Sequence, residues 1–242
     1  MTTTHAGPRR RTRGPLAALV AVGLLALAVA PANAATAHRS TVPIIAAHMA
    51  DTKGSTQVIT VTNKGSGDWA VLRAYEKVHG TWRTHVNDTY VRIGYNGFST
   101  STHEGSGTTP VGFFTVPWAF GNNANPGTAL PWHADRYGDV FVDDTSSRYY
   151  NLLTTDNADF HLGSGERLWQ VGVYSYAAFI SYNRYPIVKG RGSAFFLHVW
   201  DGGSTAGCVS MPRGVMVNLL RWMKPWSHPR IAMGPYRDVL KM

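Results

Sequence analysis

One histidine and one cysteine stand close enough in the sequence to act together in a reaction. Cys208 is the only cysteine of the 242-residue chain, and His198 precedes it by ten positions. A free thiol has a pKa of about 8.5 and is mostly protonated at neutral pH. A neighbouring imidazole can take its proton and leave a nucleophilic thiolate. The pair is therefore either a nucleophile, Cys208, with His198 as its base, or two packed core residues that do no chemistry, and the spacing alone favours the core.

The residues around the pair predict how the two side chains meet. The apolar run 195–200 predicts a buried strand, and Gly203 lies midway between the histidine and the cysteine. If the chain doubles back near Gly203, His198 and Cys208 lie opposite each other in an antiparallel hairpin, with Cα atoms ~4.5–5.5 Å apart. Gly207 would let the backbone approach closely, and N–H groups around Cys208 would form an oxyanion hole.

The same stretch offers a weak set of zinc ligands. His198, Asp201 and Cys208 are residue types that bind zinc, but they lack the CxxC or HxxxH spacing of zinc sites. We therefore predict no metal site and no cofactor, because the thiol chemistry requires neither.

Most of the chain consists of short apolar and β-branched runs separated by turn residues. This pattern is typical of a β-sandwich or a barrel-like pair of sheets. The predicted strands are 58–62, 69–75, 81–86, 113–116, 139–142, 171–182, 194–200 and 230–233. A tight turn is predicted at His79-Gly80. One amphipathic helix is predicted between Pro212 and Pro225, because apolar residues recur there at helical spacing, namely Val215, Leu219, Trp222 and Met223.

The first 34 residues have the pattern of a secretory signal peptide. Residues 1–14 carry four arginines and no acidic residue, Leu16 to Ala30 is apolar, and Ala32-Asn33-Ala34 resembles a cleavage site. The apolar run is shorter than the ~20 residues that span a membrane. We therefore predict export, by the general secretory or the twin-arginine route. A lone thiol in an exported protein favours a reactive cysteine.

The number and distribution of the charged residues argue against some classes of partner. Lys and Arg number 23 against 14 Asp and Glu, and outside the predicted signal peptide they are scattered without a basic stripe. A moderately basic mature chain suits anionic polymers, and nucleic acid is not an expected partner.

Two ordered motifs resemble the L,D-transpeptidase catalytic domain (YkuD-like) family, in an exported branch of it. They are Thr205-Ala206-Gly207-Cys208-Val209 and, upstream, Thr109-Pro110-Val111-Gly112-Phe113-Phe114. The resemblance covers roughly residues 57–234. It implies a mainly β fold, a YkuD-like β-sandwich with one amphipathic helix after the catalytic cysteine. The implied boundaries are a signal peptide at 1–34, a linker at 35–55, the catalytic domain at 56–236 and a C-terminal tail at 237–242.

The resemblance also implies a reaction on the cell wall. Cys208 would attack a carbonyl of a peptidoglycan stem peptide, His198 would act as base and then as acid, and an amine of another stem would capture the thioester. Thr205 and Gly207 would serve the oxyanion site and substrate positioning. Peptidoglycan stems are the implied partners, with no nucleic acid, contact with the membrane only during export, and no cofactor or metal.

Three departures from the family pattern leave alternatives open. Ala206 stands where the best-known members carry a second histidine, and the separation of His198 from Cys208 is shorter than theirs. Ser210 stands where many members have Arg or Asn, two residues after the cysteine. The alternatives are an L,D-carboxypeptidase, in which water replaces the acceptor amine, and a wall-binding module without catalysis. The oligomeric state is also left open.

Overall fold

Short strands dominate the structure, a computed structural model that describes residues 43–63, 65–156 and 164–242. The strands are β1 Gln57–Asn63, β2 Trp69–Val78, β3 Thr81–Arg92, β4 Phe98–Ser99, β5 Thr109–Pro110, β6 Gly112–Thr115, β7 Ala119–Gly121, β8 Trp132–Ala134, β9 Asp139–Val142, β10 Leu153–Thr155, β11 Gly165–Arg167, β12 Ala177–Phe179, β13 Phe196–Val199, β14 Val209–Met211 and β15 Arg230–Pro235. The helices are α1 Arg213–Trp222 and α2 Tyr236–Val239. The predicted signal peptide, 1–34, lies outside the described residues.

Ten strands form one large sheet, in the order β6-β15-β1-β2-β3-β14-β13-β12-β7-β8. Strands β10-β9-β11 form a smaller sheet, and β4-β5 form a two-stranded one. The prediction of a mainly β, sandwich-like fold is therefore confirmed.

The two faces of the large sheet near β13 and β14 are buried by different elements. On one face, Leu197 and Val209 belong to a cluster that contains residues of helix α1, such as Leu219. On the other face, Phe196 and Cys208 belong to an aromatic-rich cluster that reaches Phe141 of β9 and so joins the small sheet. Successive residues of a strand point to opposite faces, which is why Cys208 and Val209 enter different cores.

Several local predictions are confirmed. The turn His79-Gly80 joins β2 to β3 with positive φ at both residues, 48° and 80°, as a two-residue hairpin turn of this type requires. The predicted amphipathic helix is α1, and its buried residues Met216, Leu219, Leu220 and Trp222 form the apolar stripe. The short helix α2 was not predicted.

The predicted strand 171–182 is wrong: only β12 forms there, because the 3-10 helix Gly172–Ser175 occupies the first part of that range. The predicted linker, 35–55, and tail, 237–242, stay predictions. Within the described residues, Ile45 and Ala46 belong to the same buried cluster as Val239 of α2.

Helices long and apolar enough to cross a membrane are absent from the described residues.

Candidate active site

The strands that carry His198 and Cys208 are parallel, not an antiparallel hairpin. In the β13–β14 ladder Leu197 pairs with Val209 and His198 pairs with Ser210. The predicted direct opposition of His198 and Cys208 is therefore wrong. The chain between the strands does not fold back as a tight turn; it runs along the segment after β3, where Thr205 bridges to Gly94.

His198 and Cys208 nevertheless share one face of the sheet. Residues paired in a parallel ladder project to the same face, and Cys208 lies two residues before Ser210, the partner of His198. From the strand spacing and rise, the two Cα atoms are about 8 Å apart on the diagonal. Diagonal neighbours at this separation are within reach of aromatic and long side chains. The structure thus places the predicted pair on one sheet face by a different topology, and the hydrogen bonds found for the two side chains among the described residues go to backbone groups.

The Cys208 thiol is buried, with 8% of the residue exposed. Among the described residues its partners are backbone groups: Sγ accepts a hydrogen bond from the Phe196 N–H at 3.3 Å and donates to the Ala194 carbonyl at 3.3 Å. Burial raises the pKa of the Cys208 thiol above its ordinary value, and the nearby Glu166 carboxyl raises it further. In this arrangement the thiol is protonated and at rest.

The His198 imidazole is held in one tautomer. Its Nδ1 lies 2.7 Å from the Val199 carbonyl oxygen. A carbonyl only accepts hydrogen bonds, so Nδ1 carries the proton and Nε2 of the neutral ring is the basic nitrogen. Burial lowers the pKa of His198, which keeps the ring neutral. The ring packs edge-on against Tyr174 at a centroid distance of 5.4 Å. A neutral imidazole with a free Nε2 is the form that can accept a proton from a thiol.

The loop before Cys208 is fixed by its own side chains. The Thr205 hydroxyl donates to the Cys208 carbonyl at 2.6 Å and accepts from the Gly207 N–H at 3.1 Å. The Gly207 amide is therefore occupied in this arrangement, and the assignment of Thr205 and Gly207 to the oxyanion site or to substrate positioning stays a prediction. Thr205 positions the loop, whereas no hydrogen bond from the Cys208 N–H is found in the described part of the chain.

Glycine is required at position 207. Its φ is +152°, and a Cβ there would lie 2.5 Å from the Phe195 ring and 2.9 Å from the Thr108 carbonyl oxygen. The upstream predicted motif reaches the same loop through Thr109, whose buried hydroxyl donates to the Gly207 carbonyl at 2.7 Å and accepts from the Gly94 N–H at 2.9 Å. The two sequence motifs therefore meet at one hydrogen-bonded hydroxyl.

Cys208 lines a cavity of about 220 Å³. Its wall also contains Ala206, His103 and three acidic residues, namely Glu104, Asp143 and Glu166. Glu104 accepts hydrogen bonds from Tyr150 and from Ser193, the latter at 2.6 Å. Sequence reasoning singled out Ala206 but missed His103 and the three acidic residues, since they come from separate loops and strands and form no motif.

Glu166, in the cavity wall, has an unusual environment for a carboxyl. Burial raises the pKa of its carboxyl to about 7, and a hydrogen bond donated by the Tyr174 hydroxyl opposes that shift. Tyr174 also packs against His198. Glu166, Tyr174 and His198 therefore form a buried chain of contacts beside the thiol.

Two other arrangements lie apart from this cavity. A second cavity, of about 530 Å³, is lined by Trp118, Phe141 and Phe179 and does not include Cys208. The weak zinc set of His198, Asp201 and Cys208 does not form a cluster of ligand atoms; within the described ranges the cluster of three such residues is His133, Asp135 and Asp139.

Comparison with known proteins places the chain in a family. The sequence matches the YkuD family, described as L,D-transpeptidase catalytic domain, over residues 68–231, and the predicted family is thereby confirmed. No curated protein matches the chain. Among solved structures, the helical cell shape determining protein Pgp2 from Campylobacter jejuni is similar at 13% identity and a TM-score of 0.40, over 76% of this chain and 49% of that one. The chain spans about half the length of Pgp2 there, and a similarity this distant carries no argument about function.

Proposed function

The chain belongs to the L,D-transpeptidase catalytic domain family, and we propose that it is an exported enzyme that joins peptidoglycan stem peptides through a thioester on Cys208. The observation that supports the proposal best is that a buried thiol and a histidine held in its Nδ1–H tautomer lie on the same sheet face. Export through a signal peptide at 1–34 is part of the proposal and would place the enzyme outside the cytoplasm, at the cell wall.

The first half of the reaction forms the acyl-enzyme. A rotation about the Cα–Cβ bond of Cys208 releases Sγ from the Ala194 carbonyl and the Phe196 N–H and directs it toward His198, at the cost of two weak hydrogen bonds. The thiol proton passes to Nε2 of His198, and Sγ bonds to the carbonyl carbon of the third residue of a tetrapeptide stem. The C–N bond to D-alanine then breaks, and His198 returns the proton to the leaving amine.

The second half releases the product. The amine of another stem attacks the thioester carbonyl, its proton passes to His198, and the thiolate leaves and is reprotonated. During both steps an oxyanion develops on the carbonyl oxygen. Because Thr205 occupies the Gly207 amide, the N–H of Cys208 is the backbone donor we assign to it.

The acidic cavity wall favours an amine acceptor over water. Glu104, Asp143 and Glu166 lie around the thiol, and negative charge in a confined cavity concentrates cationic groups. A protonated amine entering there meets Glu166, whose carboxyl has a pKa of about 7 and can accept a proton at neutral pH. Transpeptidation is therefore our first assignment, and hydrolysis by an L,D-carboxypeptidase is the second.

Product analysis distinguishes these assignments. The mature chain is incubated with tetrapeptide stems, alone and with a second stem as acceptor, and the products are separated by mass. We expect cross-linked dimers and free D-alanine. Tripeptides without dimers at every acceptor concentration would establish the hydrolase instead, and intact tetrapeptides in all samples would leave the wall-binding module. Cys208→Ser is the matched control, and it should give neither product.

A further inference from the structure

A second cluster of chemically active side chains lies outside the cavity of Cys208. His133 belongs to β8, Asp139 begins β9, and Asp135 lies between them. One nitrogen or carboxylate oxygen from each of the three lies within 4.8 Å of the others. β8 is the edge strand of the large sheet and β9 is the central strand of the small one, so the cluster sits where the two sheets are joined.

Asp135 has an unusual environment for a carboxylate. Both of its oxygen atoms are buried from solvent, and no described residue donates a hydrogen bond to either of them. A buried carboxylate without hydrogen-bond donors is costly unless a cation or a proton compensates it. Asp135 therefore presents two buried oxygen atoms for which the described residues supply no hydrogen-bond partner.

The two neighbours of Asp135 are oriented as ligands would be. The Asp139 Oδ2 atom lies 2.8 Å from the His133 Nε2 and accepts a hydrogen bond from the Arg136 N–H at 2.7 Å. Two ligand atoms bound to one tetrahedral ion at about 2.0–2.1 Å are roughly 3.3 Å apart, which is somewhat more than the 2.8 Å between His133 Nε2 and Asp139 Oδ2. The Arg136 amide fixes the Asp139 carboxylate, as groups behind metal ligands commonly do.

We propose that His133, Asp135 and Asp139 bind one divalent transition-metal ion of the zinc class, which fastens β8 to β9. One imidazole and two carboxylates suit zinc better than magnesium or calcium, which prefer oxygen ligands alone. The ion has a route in from solvent, because the His133 side chain is 36% exposed while that of Asp139 is 8% exposed. Remaining coordination positions are filled by water.

This site is independent of the thiol chemistry. The cavity of Cys208 is lined by none of the three ligands, and the proposed reaction uses no metal. The ion acts on the fold: it replaces the His133–Asp139 hydrogen bond with three bonds to one centre and supplies the positive charge that Asp135 lacks. Binding to the folded state alone stabilises it by mass action.

Calorimetric titration of the chelator-treated, dialysed full chain tests the proposal with Zn²⁺ as the probe. We expect one Zn²⁺ per chain, and at least tenfold weaker binding of Mg²⁺ and Ca²⁺. Asp135→Asn should weaken Zn²⁺ binding at least tenfold. Asp144→Asn is the matched control, because it removes the same charge from a nearby surface turn in which the carboxylate bonds Ser146, and it should bind as the wild type does.

Two further variants keep the result decisive. Cys208→Ser should retain full Zn²⁺ binding, and Zn²⁺ should raise the melting temperature of the wild type and of Asp144→Asn but not of Asp135→Asn. If Asp135→Asn does not fold, His133→Ala at the exposed ligand gives the same comparison. Equal binding by wild type and Asp135→Asn, loss of binding in Cys208→Ser, or no Zn²⁺ binding at all would each overturn the site.

Discussion

Two acidic regions of the molecule differ in the hydrogen bonding of their carboxylates. In the cavity of Cys208, Glu104 and Glu166 accept hydrogen bonds from the hydroxyls of Tyr150 and Tyr174. At the junction of the sheets, Asp135 accepts none from any described residue. The difference separates two kinds of site: a cavity whose glutamates have hydrogen-bond donors, and a cluster whose Asp135 has none among the described residues and which we propose an ion completes.

The largest expected difference between the two regions is in the rate of reaction. Cys208→Ser should lower product formation by roughly 10³-fold or more, because a hydroxyl is a far weaker nucleophile than a thiolate and the reacting groups act as a unit. Asp135→Asn should change the rate less than about tenfold, as it touches no reacting atom. The measurement is the initial rate of dimer formation. Equal losses in the two variants would remove the distinction between the regions.

His198→Ala should be the next most damaging change. Removing the base should cost about 10²–10⁴-fold in rate, and the double variant with Cys208→Ser should be little worse than Cys208→Ser alone. His85→Ala is a control, since its ring stacks on Trp222 away from the cavity, and its rate should match the wild type. A double variant whose loss is the product of the two single losses would show that His198 and Cys208 do not work together.

Much of this pair was visible in the sequence, but its geometry was not. The identities of Cys208 and His198, the helix α1 and most strands follow from local patterns of residue type and period. The direction of β14 relative to β13 does not follow from local patterns. It depends on the segment after β13, which crosses to contact Ile93 and Gly94, residues distant in the sequence. Glu166 and Tyr174 gave no signal either, since only the folded sheets bring them beside the thiol.

Glu166→Gln should change how stability depends on pH. Burial raises the folded-state pKa of Glu166 from 4.5 to about 7, so the folded state binds more protons than the unfolded state between these values. The free energy of unfolding of the wild type therefore falls as pH rises from about 4.5 to about 7, and Glu166 accounts for on the order of 3 kcal/mol of that fall. In urea unfolding, the variant should show a smaller difference than the wild type between the free energies of unfolding at pH 5 and at pH 8. Glu76→Gln, outside the cavity, is the matched control. A slope unchanged by Glu166→Gln would contradict the assigned environment.

Thr109→Val should give the smallest of these effects. The substitution keeps the shape but leaves the Gly207 carbonyl and the Gly94 N–H without their shared hydroxyl, which should cost about 1–3 kcal/mol of unfolding free energy. Thr84→Val at an exposed position of β3 should stay within about 0.5 kcal/mol of the wild type. Both are read from urea unfolding curves. If the two variants are equally stable, Thr109 does not tie the cysteine loop to the upstream motif.

The central claim is that Cys208 becomes an acylated nucleophile, and intact mass spectrometry after exposure to a carbapenem tests it most directly. A carbapenem presents a strained carbonyl that an activated thiol can open, and Cys208 is the only cysteine in the chain. We expect the wild type to gain the mass of one carbapenem, located to Cys208 by peptide mapping, and Cys208→Ser and His198→Ala to gain none over the same period. A folded wild type that gains no mass, or an equal gain in Cys208→Ser, would contradict the account.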